Sequence, residues 1–262
     1  MPGPDLILLG YGVDDTLQLT VQTQRLLAQI GKVYSVSLPP ALARFLKSQR
    51  IEIEDLTDRF APGRPFSECY LDVADHLIRR TVEEQPVCFL SPGNPMFLNS
   101  LNRFLFMQAQ QRGLEVQVLP GVSLIDAMIS DLGLDVGTFG LQVFDARRLV
   151  TRRQVLNPAV PLVLVQLAGF SAEAVPELEA PPPEGGYDDL AAYLAQFYPA
   201  EHFVTLINRE PGQGAARATL PLARFGELVT NVRTSSSLFI DAVRQQRTAK
   251  ETATESRKLP GA

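Results

Sequence analysis

Short apolar runs and amphipathic segments alternate through the first half of the chain. The runs are rich in valine, isoleucine and leucine, and each has the length of one buried strand: DLILL (5–9), KVYSVS (32–37), IEIEDL (51–56), VCFLS (87–91) and VQVL (116–119). Between them, apolar residues recur at helical spacing over 16–30, 40–49, 67–85 and 95–112. Strands that alternate with helices through short connections predict a parallel sheet covered on both faces.

The stretch VQVLPGVSLIDAMISDLGLD (116–135) carries the clearest local signals. A Pro-Gly pair ends its strand in a tight turn. Ser123 is followed three residues later by Asp126, which is a capping-box pattern, and Gly133 predicts the end of the helix. Ser67 is likewise expected to cap the third helix.

After Gly137 the strands and helices follow one another less regularly. Strand-like runs occur at 141–144, 161–167, 203–207, 217–222 and 234–240, and helical spacing occurs near 147–156 and at 188–197. A stretch at 171–186 that ends in prolines and glycines predicts a loop.

We therefore predict an α/β fold of two α/β subdomains. Residues 1–137 form the N-terminal subdomain with a mostly parallel sheet, and residues 138–245 form the C-terminal subdomain with a mixed sheet. The tail 246–262 is polar and poor in apolar residues, so it is expected to be disordered.

Composition and charge narrow the class of protein. The 262 residues include 45% hydrophobic and 20% charged residues, as in an ordinary globular protein, with a formal net charge of -5 that argues against a nucleic-acid partner. No apolar run is long enough to span a membrane, and the N-terminus has no basic region before its apolar run. The two cysteines, Cys69 and Cys88, form no metal-type cluster. These features predict a cytoplasmic protein that binds no metal, no membrane and no nucleic acid.

Three turns each follow a predicted strand and precede a predicted helix: GYGVDD (10–15), SPGNP (91–95) and PGVS (120–123). Such turns can collect at the carboxyl edge of a parallel sheet, where open α/β sheets bind ligands. The first turn lacks the third glycine of a dinucleotide fingerprint, so a purely structural turn is the alternative. No nucleophile–base arrangement is evident, and a structural role is expected for His76 and His202.

The same turns resemble those of the tetrapyrrole (corrin/porphyrin) methylase superfamily of S-adenosylmethionine-dependent methyltransferases. Members have a Gly-x-Gly-Pro-Gly-Asp-type turn after the first strand, a central Gly-Asp-Pro-type turn, and a Pro-Gly-x-Ser segment that starts a helix. The matching segments here are LLGYGVDD, SPGNPMF and VLPGVSLIDA, and the likeness covers most of residues 5–240. It implies that S-adenosylmethionine is the cofactor, that it lies in the cleft between the two subdomains, and that S-adenosylhomocysteine is the product.

Within the superfamily, the chain is more similar to the borosin-type peptide backbone N-methyltransferases, in KVYSVSLPPALARFL, PGVSLIDAMISDLGLD and VPLVLVQLAGF. In that family, tyrosines and an arginine after the third strand surround the reacting amide. The matching run DLTDRFAPGRPFSECY places Tyr70 at one tyrosine position, whereas Thr57 and Phe60 stand at others and Phe66 stands at the arginine position. Tyr70 and Arg64, which could substitute for the missing arginine, are thus the candidate catalytic residues. A core position for Tyr70 and a solvated one for Arg64 are the alternatives.

The resemblance also implies which residues hold the cofactor. Backbone N–H groups from Gly121 to Ser123 are expected to bind its carboxylate, and groups around Gly93 to face its sulfonium. Gln166 is either a wall of the adenine site or a core glutamine. The full set expected to bind the cofactor is Gly10, Gly12, Pro92, Gly93, Asn94, Met96, Gly121, Val122, Ser123, Leu124, Gln166, Leu167, Ile207, Ser236 and Ser237.

The implied function is N-methylation of a peptide or peptide-like substrate by a homodimer. The tail QRTAKETATESRKLPGA contains no apolar core peptide, so the peptide is expected to be a separate molecule. Two alternatives stay open: methylation of a small metabolite or a tetrapyrrole, and a cofactor-binding partner protein without catalysis.

Overall fold

The computed structural model describes residues 3–14, 18–170, 174–175, 186–210 and 214–243. The chain divides into two compact units, Met1–Leu134 with Ala172–Pro181 and Arg209–Ala215, and Asp135–Ser171 with Pro182–Asn208 and Ala216–Ala262. The predicted disordered tail and most of the predicted loop at 171–186 lie outside the described residues.

A five-stranded parallel sheet forms the centre of the first unit. Its strands are β1 (Leu6–Gly10), β2 (Lys32–Ser35), β3 (Glu52–Asp55), β4 (Val87–Ser91) and β5 (Val116–Leu119), in the spatial order β3-β2-β4-β1-β5. Every adjacent pair runs parallel. All residues of β1 and β4 are buried, as continuous apolar runs predict for strands covered on both faces. The predicted parallel sheet is confirmed.

Helices pack on both faces of this sheet. They are α1 (Val21–Leu27), α2 (Pro40–Ser48), α3 (Phe66–Glu83) and α4 (Ser100–Gln111), and a fifth helix, α5 (Leu124–Leu132), follows β5. One hydrophobic core packs β1, β2 and β4 against α3 and α4, and a second packs them against α1 and α2. Because side chains alternate across a strand, the neighbours Leu8 and Leu9 lie in different cores.

The start of α3 differs from the prediction. Ser67 does not cap this helix, which begins one residue earlier at Phe66, with Pro65 at the N-cap position and no side-chain cap. The carbonyl oxygen of Pro65 accepts the N–H groups of Glu68 and Cys69 at 3.1 and 3.2 Å, which closes the first turn. Because the proline ring fixes φ near its helical value, the turn starts before Ser67.

A mixed sheet follows in the second half of the chain. Its strands are β6 (Gln142–Asp145), β7 (Leu162–Val165), β8 (Phe203–Glu210), β9 (Gly214–Pro221) and β10 (Ser236–Ile240), in the order β6-β7-β10-β8-β9. β6 is parallel to β7, whereas β10 is antiparallel to both β7 and β8. The predicted mixed sheet is confirmed.

The structure describes four short helices in this half: α6 (Val136–Phe139), α7 (Ala146–Thr151), α8 (Asp188–Leu194) and α9 (Phe225–Val229). α7 and α8 are shorter than the predicted helices near 147–156 and at 188–197, and α6 and α9 were not predicted. α7 stops before 156 because Arg153 has a positive φ of 47° and the Gln154 N–H donates to the Leu149 carbonyl at 3.1 Å, which closes the last turn. The strand predicted to reach 167 ends at Val165, since Gln166 has a φ of 61°.

Two findings bear on the class of protein. Among the described residues, no helix has the length and apolar character needed to cross a membrane. Cys69 and Cys88 are both free and buried. Burial raises the pKa of the Cys88 thiol to about 12, so this thiol stays protonated and unreactive near neutral pH.

The predicted capping box at the start of α5 is present. The Ser123 side chain accepts the N–H of Asp126, and the Asp126 carboxylate accepts the Ser123 N–H at 2.8 Å. At the other end, Gly133 has the left-handed φ of 63° that terminates the helix. The stretch 116–135 thus has the strand, turn, cap and stop that its sequence indicates.

We expect the substitution Ser123→Ala to lower the free energy of unfolding by about 1 kcal/mol, because the Asp126 N–H loses its cap. Urea denaturation followed by circular dichroism measures this. Ser130→Ala is the matched control, since the exposed Ser130 hydroxyl only donates to the Asp126 carbonyl within the same helix. Equal effects of the two substitutions would contradict a specific contribution of the cap.

Candidate functional site

The three turns identified in the sequence lie side by side. β4, β1 and β5 are neighbours in the sheet, and Gly10 is paired with Ser91 while Leu9 is paired with Leu119. The strands therefore end level, and the turns that follow them meet at the carboxyl edge. The Gly93 N–H donates to the Gly12 carbonyl at 2.9 Å, which joins two of the turns directly.

Backbone groups fill the centre of this junction. A Cβ built on Gly10 would lie 2.3 Å from the Gly93 oxygen and 2.4 Å from the Gly121 nitrogen. A Cβ on Gly121 would lie 2.6 Å from the same Gly93 oxygen. Gly12 and Gly93 have φ values of +87° and +64°, which L side chains rarely adopt. We call the junction of 10–12, 91–95 and 120–123 the glycine junction.

The other candidate residues of these turns have varied surroundings. Pro92 and Met96 are exposed, and the Asn94 side chain accepts the Met96 N–H at 2.9 Å. Val122 and Leu124 are half-buried. The Ser123 N–H already donates to the Asp126 carboxylate, so it is not available as a donor to a ligand carboxylate, contrary to the expectation for this amide.

The Gly93 oxygen lies between the backbones of Gly10 and Gly121, where it maintains the junction. The half-buried Asn94 and the buried Pro95 belong to the same turn. The expectation that groups around Gly93 face the sulfonium stays a prediction.

The second set of candidate residues lies at one end of the mixed sheet. Ser237 is paired with Ile207, and Leu238 with Leu164, so the start of β10 lies beside the end of β7 that precedes Gln166. Leu167, Ile207, Ser236 and Ser237 are buried. Gln166 is exposed, which rules out the alternative of a core glutamine.

The two serines of β10 differ in hydrogen bonding. The Ser236 hydroxyl donates to Asn208 and accepts the Arg233 N–H at 2.6 Å. The Ser237 hydroxyl is buried and has no hydrogen-bond partner among the described residues. A buried hydroxyl without a partner costs free energy, and a ligand at this end of the sheet would remove that cost.

Tyr70 is half-buried on α3 and is surrounded by aromatic rings. Its ring centroid is 6.0 Å from Phe60 and 6.0 Å from Phe66, the latter in a stacked arrangement. Tyr70 and Phe60 also pack against the core on this face of the sheet. Two positions at which the related family has polar residues are thus filled by apolar rings in contact with Tyr70.

Arg64 is held on a different side of α3. Its Nη1 donates to the Asp72 carboxylate at 3.1 Å and to the Arg59 carbonyl at 2.8 Å. Residues two apart on a helix do not face each other, so Asp72 holds Arg64 away from the face of Tyr70. The catalytic role of Arg64 stays a prediction, and in the structure its guanidinium is an ion-pair partner.

A polar stripe along α3 contains residues that sequence reasoning missed. Arg59 donates to Asp72 at 2.6 Å and to His76 Nδ1 at 3.0 Å, and His76 Nε2 lies 2.7 Å from Glu54. Because a guanidinium only donates, Nδ1 accepts and Nε2 carries the proton. The spacing of Asp72, His76 and Arg80 at i, i+4 and i+8 is the signal that would have found this stripe.

The ion pairs change the titration of Asp72. Partial burial opposes its ionisation, but the hydrogen bonds and positive charges of Arg64 and Arg59 outweigh that effect and hold the pKa of the carboxyl below its ordinary value of 3.8. Asp72 is therefore ionised throughout the neutral range.

Residues 5–208 match the family of tetrapyrrole (corrin/porphyrin) methylases, and the chain belongs to that family. Its members are methyltransferases that use S-adenosylmethionine, so the predicted enzyme class and cofactor are confirmed.

Curated relatives are similar over most of this chain. A methyltransferase/ribosomally synthesized type III borosin cyclic peptide precursor from Anomoporia bombycina is 26% identical over 205 residues, which are 76% of this chain and 23% of the relative. A type I borosin cyclic peptide precursor from Serendipita vermifera subsp. bescii is 25% identical over 236 residues, 89% of this chain and 57% of the relative. The chain thus spans less than two thirds of the length of these relatives.

Two solved structures share the fold over 95% or more of this chain. Uroporphyrin-III-C-methyltransferase from Thermus thermophilus has a TM-score of 0.65 at 19% identity, and the similarity covers 98% of this chain and 97% of that one. Diphthine synthase has a TM-score of 0.63 at 16% identity, with 95% of each chain covered.

We expect Gly10→Ala to destabilise the protein by about 1–3 kcal/mol, because the new Cβ would overlap backbone atoms that cannot rotate away. Denaturant unfolding measures the effect. Gly31→Ala is the matched control, since a Cβ there meets nothing within 4 Å. If Gly10→Ala does not change the free energy of unfolding, the backbone of the junction can move to accommodate a methyl group.

We expect Asp72→Asn to lower stability near neutral pH, with a loss that disappears in acid. The folded-state pKa of Asp72 lies below the ordinary value of 3.8, so its contribution to stability is present above that ordinary value and is lost as the pH falls through the folded-state pKa. Stability measured from pH 7 to pH 3 tests this.

The control for this series is Asp75→Asn on the same helix, whose ion pair with Arg112 is long at 3.6 Å and about half exposed. Such a pair contributes about 0–1 kcal/mol, so its pH series should follow the wild type closely. If the stability of Asp72→Asn and Asp75→Asn depends on pH in the same way, the depressed pKa of Asp72 does not contribute to stability as described.

Proposed function

We propose that this chain transfers a methyl group from S-adenosylmethionine to a nitrogen of a peptide or peptide-like substrate that is supplied as a separate molecule. The observation that carries the proposal is the glycine junction in a chain of the tetrapyrrole methylase family. The printed names of the relatives, which describe methyltransferases joined to borosin peptide precursors, support a peptide as the substrate class. The expected homodimer and cytoplasmic location stay predictions.

The residues of the glycine junction fit such a cofactor. Glycines at 10, 12, 93 and 121 let the three turns pack closely together at the carboxyl edge of the sheet. Open α/β sheets bind ligands at this edge, so the more exposed groups of these turns are the candidates to contact the cofactor. Gln166, Ser236 and Ser237 are the candidates to contact the adenine, together with Leu167 and Ile207. The bound cofactor supplies an electrophilic methyl group on a sulfonium.

The protein has to align the substrate nitrogen with that methyl group. In-line displacement needs the two reacting atoms about 3 Å apart in a site from which water is excluded. Tyr70 has a hydroxyl to orient the substrate N–H or to accept its proton, and the rings of Phe60 and Phe66 pack beside it. In this role the aromatic neighbours restrict both the rotamer of Tyr70 and the access of water.

A second candidate is the methylation of a small metabolite or a tetrapyrrole. One observation favours it: Phe60 and Phe66 present no charge or hydroxyl near Tyr70, and Arg64 is paired with Asp72. Substrates that develop little negative charge during methylation would need no cation at this position.

We expect the full chain, incubated with S-adenosylmethionine and a pool of apolar synthetic peptides, to form S-adenosylhomocysteine and to add one methyl mass to a peptide. Tandem mass spectrometry locates the methyl on a nitrogen and also shows whether the chain methylates itself. Cofactor turnover with a tetrapyrrole but with no peptide would favour the second candidate. Binding of the cofactor without any turnover would indicate a partner protein that lacks catalysis.

We expect Tyr70→Phe to lower kcat by about 100-fold or more, the range for the loss of a general acid–base group. Tyr193→Phe is the control, because it likewise removes one tyrosine hydroxyl. The Tyr193 hydroxyl, on α8, donates to the Gln154 carbonyl at 2.9 Å. The affinity for S-adenosylmethionine should be unchanged in both variants. A Tyr70→Phe enzyme with the wild-type rate would assign Tyr70 to the core.

A further inference from the structure

Asn102 is a fully buried asparagine that reaches back from α4 to the central turn of the glycine junction. Its Nδ2 donates to the Ser91 hydroxyl at 2.7 Å and to the Pro95 carbonyl at 3.0 Å. Both Nδ2 protons are therefore used at the two ends of the turn that contains Gly93. Asn102 is 0% exposed, so these bonds form without competition from water.

The N-terminus of α4 fixes the position of the Asn102 backbone. Asn99 is the N-cap of α4, and its side chain accepts the Asn102 N–H at 3.0 Å. Asn102 thus occupies the third position of the helix, which places its side chain in the first turn, near the preceding loop. The cap and the side-chain bonds form two separate links between α4 and the chain before it.

The loop between β4 and α4 needs such support because it contains strained backbone. Leu98 has a φ of 52°, whereas the φ of +64° at Gly93 causes no strain because glycine has no Cβ. Leucine rarely adopts a left-handed conformation, which costs about 1–2 kcal/mol and persists only where neighbouring contacts determine it. The two bonds of Asn102 to Ser91 and Pro95 are contacts of that kind.

The Asn102 Oδ1 atom has an unfavourable environment. It is buried and has no hydrogen-bond partner among the described residues. An apolar side chain of similar size would avoid this cost, at the loss of both bonds to the turn. An asparagine at this position is therefore better explained by the placement of the turn than by the stability of the core.

We propose that Asn102 is a positioning residue that sets the affinity for the cofactor by holding the Ser91–Pro95 turn in place. Through that turn it keeps the Gly93 oxygen between Gly10 and Gly121 and presents Asn94 and Pro95 at the sheet edge. The inference rests on the cofactor part of the proposed function and is independent of the substrate.

Titration calorimetry of the full chain with S-adenosylmethionine and with S-adenosylhomocysteine tests this inference. We expect Asn102→Ala to raise the Kd for both ligands about tenfold, by analogy with the loss of residues that orient ligating groups. Asn102→Asp should have a similar effect, since its carboxylate cannot donate to the Pro95 carbonyl. Ser91→Ala removes one of the two bonds with less risk to folding, and we expect a smaller rise of about threefold.

Asn99→Ala is the matched control on the same helix. It removes the N-cap and should lower Tm by about 2–4 °C, yet it leaves the bonds from Asn102 to the turn intact. Its Kd for both ligands should stay within about twofold of the wild type. Equal rises of Kd in Asn99→Ala and Asn102→Ala would show general destabilisation and overturn the proposal.

Amide hydrogen exchange gives a second readout that needs no ligand. Asn102→Ala and Ser91→Ala should accelerate exchange at Gly93, Asn94 and Met96 relative to the rest of β4 and α4. If the wild type binds neither ligand, the proposed function fails. The positioning of the turn would then be judged by exchange alone, and unchanged exchange in both variants would refute it.

Discussion

One backbone contact determines the architecture of the first unit: the Gly93 oxygen occupies the space that a side chain on Gly10 or Gly121 would need. Three strand ends meet at this point, and they can approach so closely only where the chain has no Cβ. The result is an edge formed by peptide groups rather than side chains. Open α/β sheets bind ligands at this edge, and the contact therefore links the fold to the function of the family.

The two hydrophobic cores make this contact possible. Leu8 and Leu9 anchor β1 in opposite cores, so the strand cannot shift along its neighbours without moving both sets of apolar side chains. The pairing of Gly10 with Ser91 and of Leu9 with Leu119 is thereby fixed. Burial provides the level strand ends, and the polar groups around Ser91 and Asn102 then select one conformation of the turn.

The sequence predicted elements whose signals are local. The strands, the three turns and the capping box of Ser123 and Asp126 follow from short-range patterns, and the family resemblance identified the cofactor. Sequence patterns did not predict the hydrogen bonds from Asn102 to Ser91 and Pro95, because the loop that brings these residues together contains the left-handed Leu98. Two predictions from the sequence were wrong. Ser67 does not cap α3, because the Pro65 carbonyl already accepts the N–H groups of the first turn. The Ser123 N–H is not a free donor, because it already donates to the Asp126 carboxylate.

In the proposed reaction, the charge near Tyr70 bears on the class of substrate. Removing a proton from an amide places negative charge on its carbonyl oxygen, which a free cation would stabilise. In this chain the charge of Arg64 is largely balanced by Asp72, which also binds Arg59. Two guanidinium groups on one carboxylate leave one net positive charge shared by the loop rather than directed at Tyr70. A substrate nitrogen that is already nucleophilic places the least demand on such a site, whereas a backbone amide would require Arg64 to exchange Asp72 for the substrate oxygen.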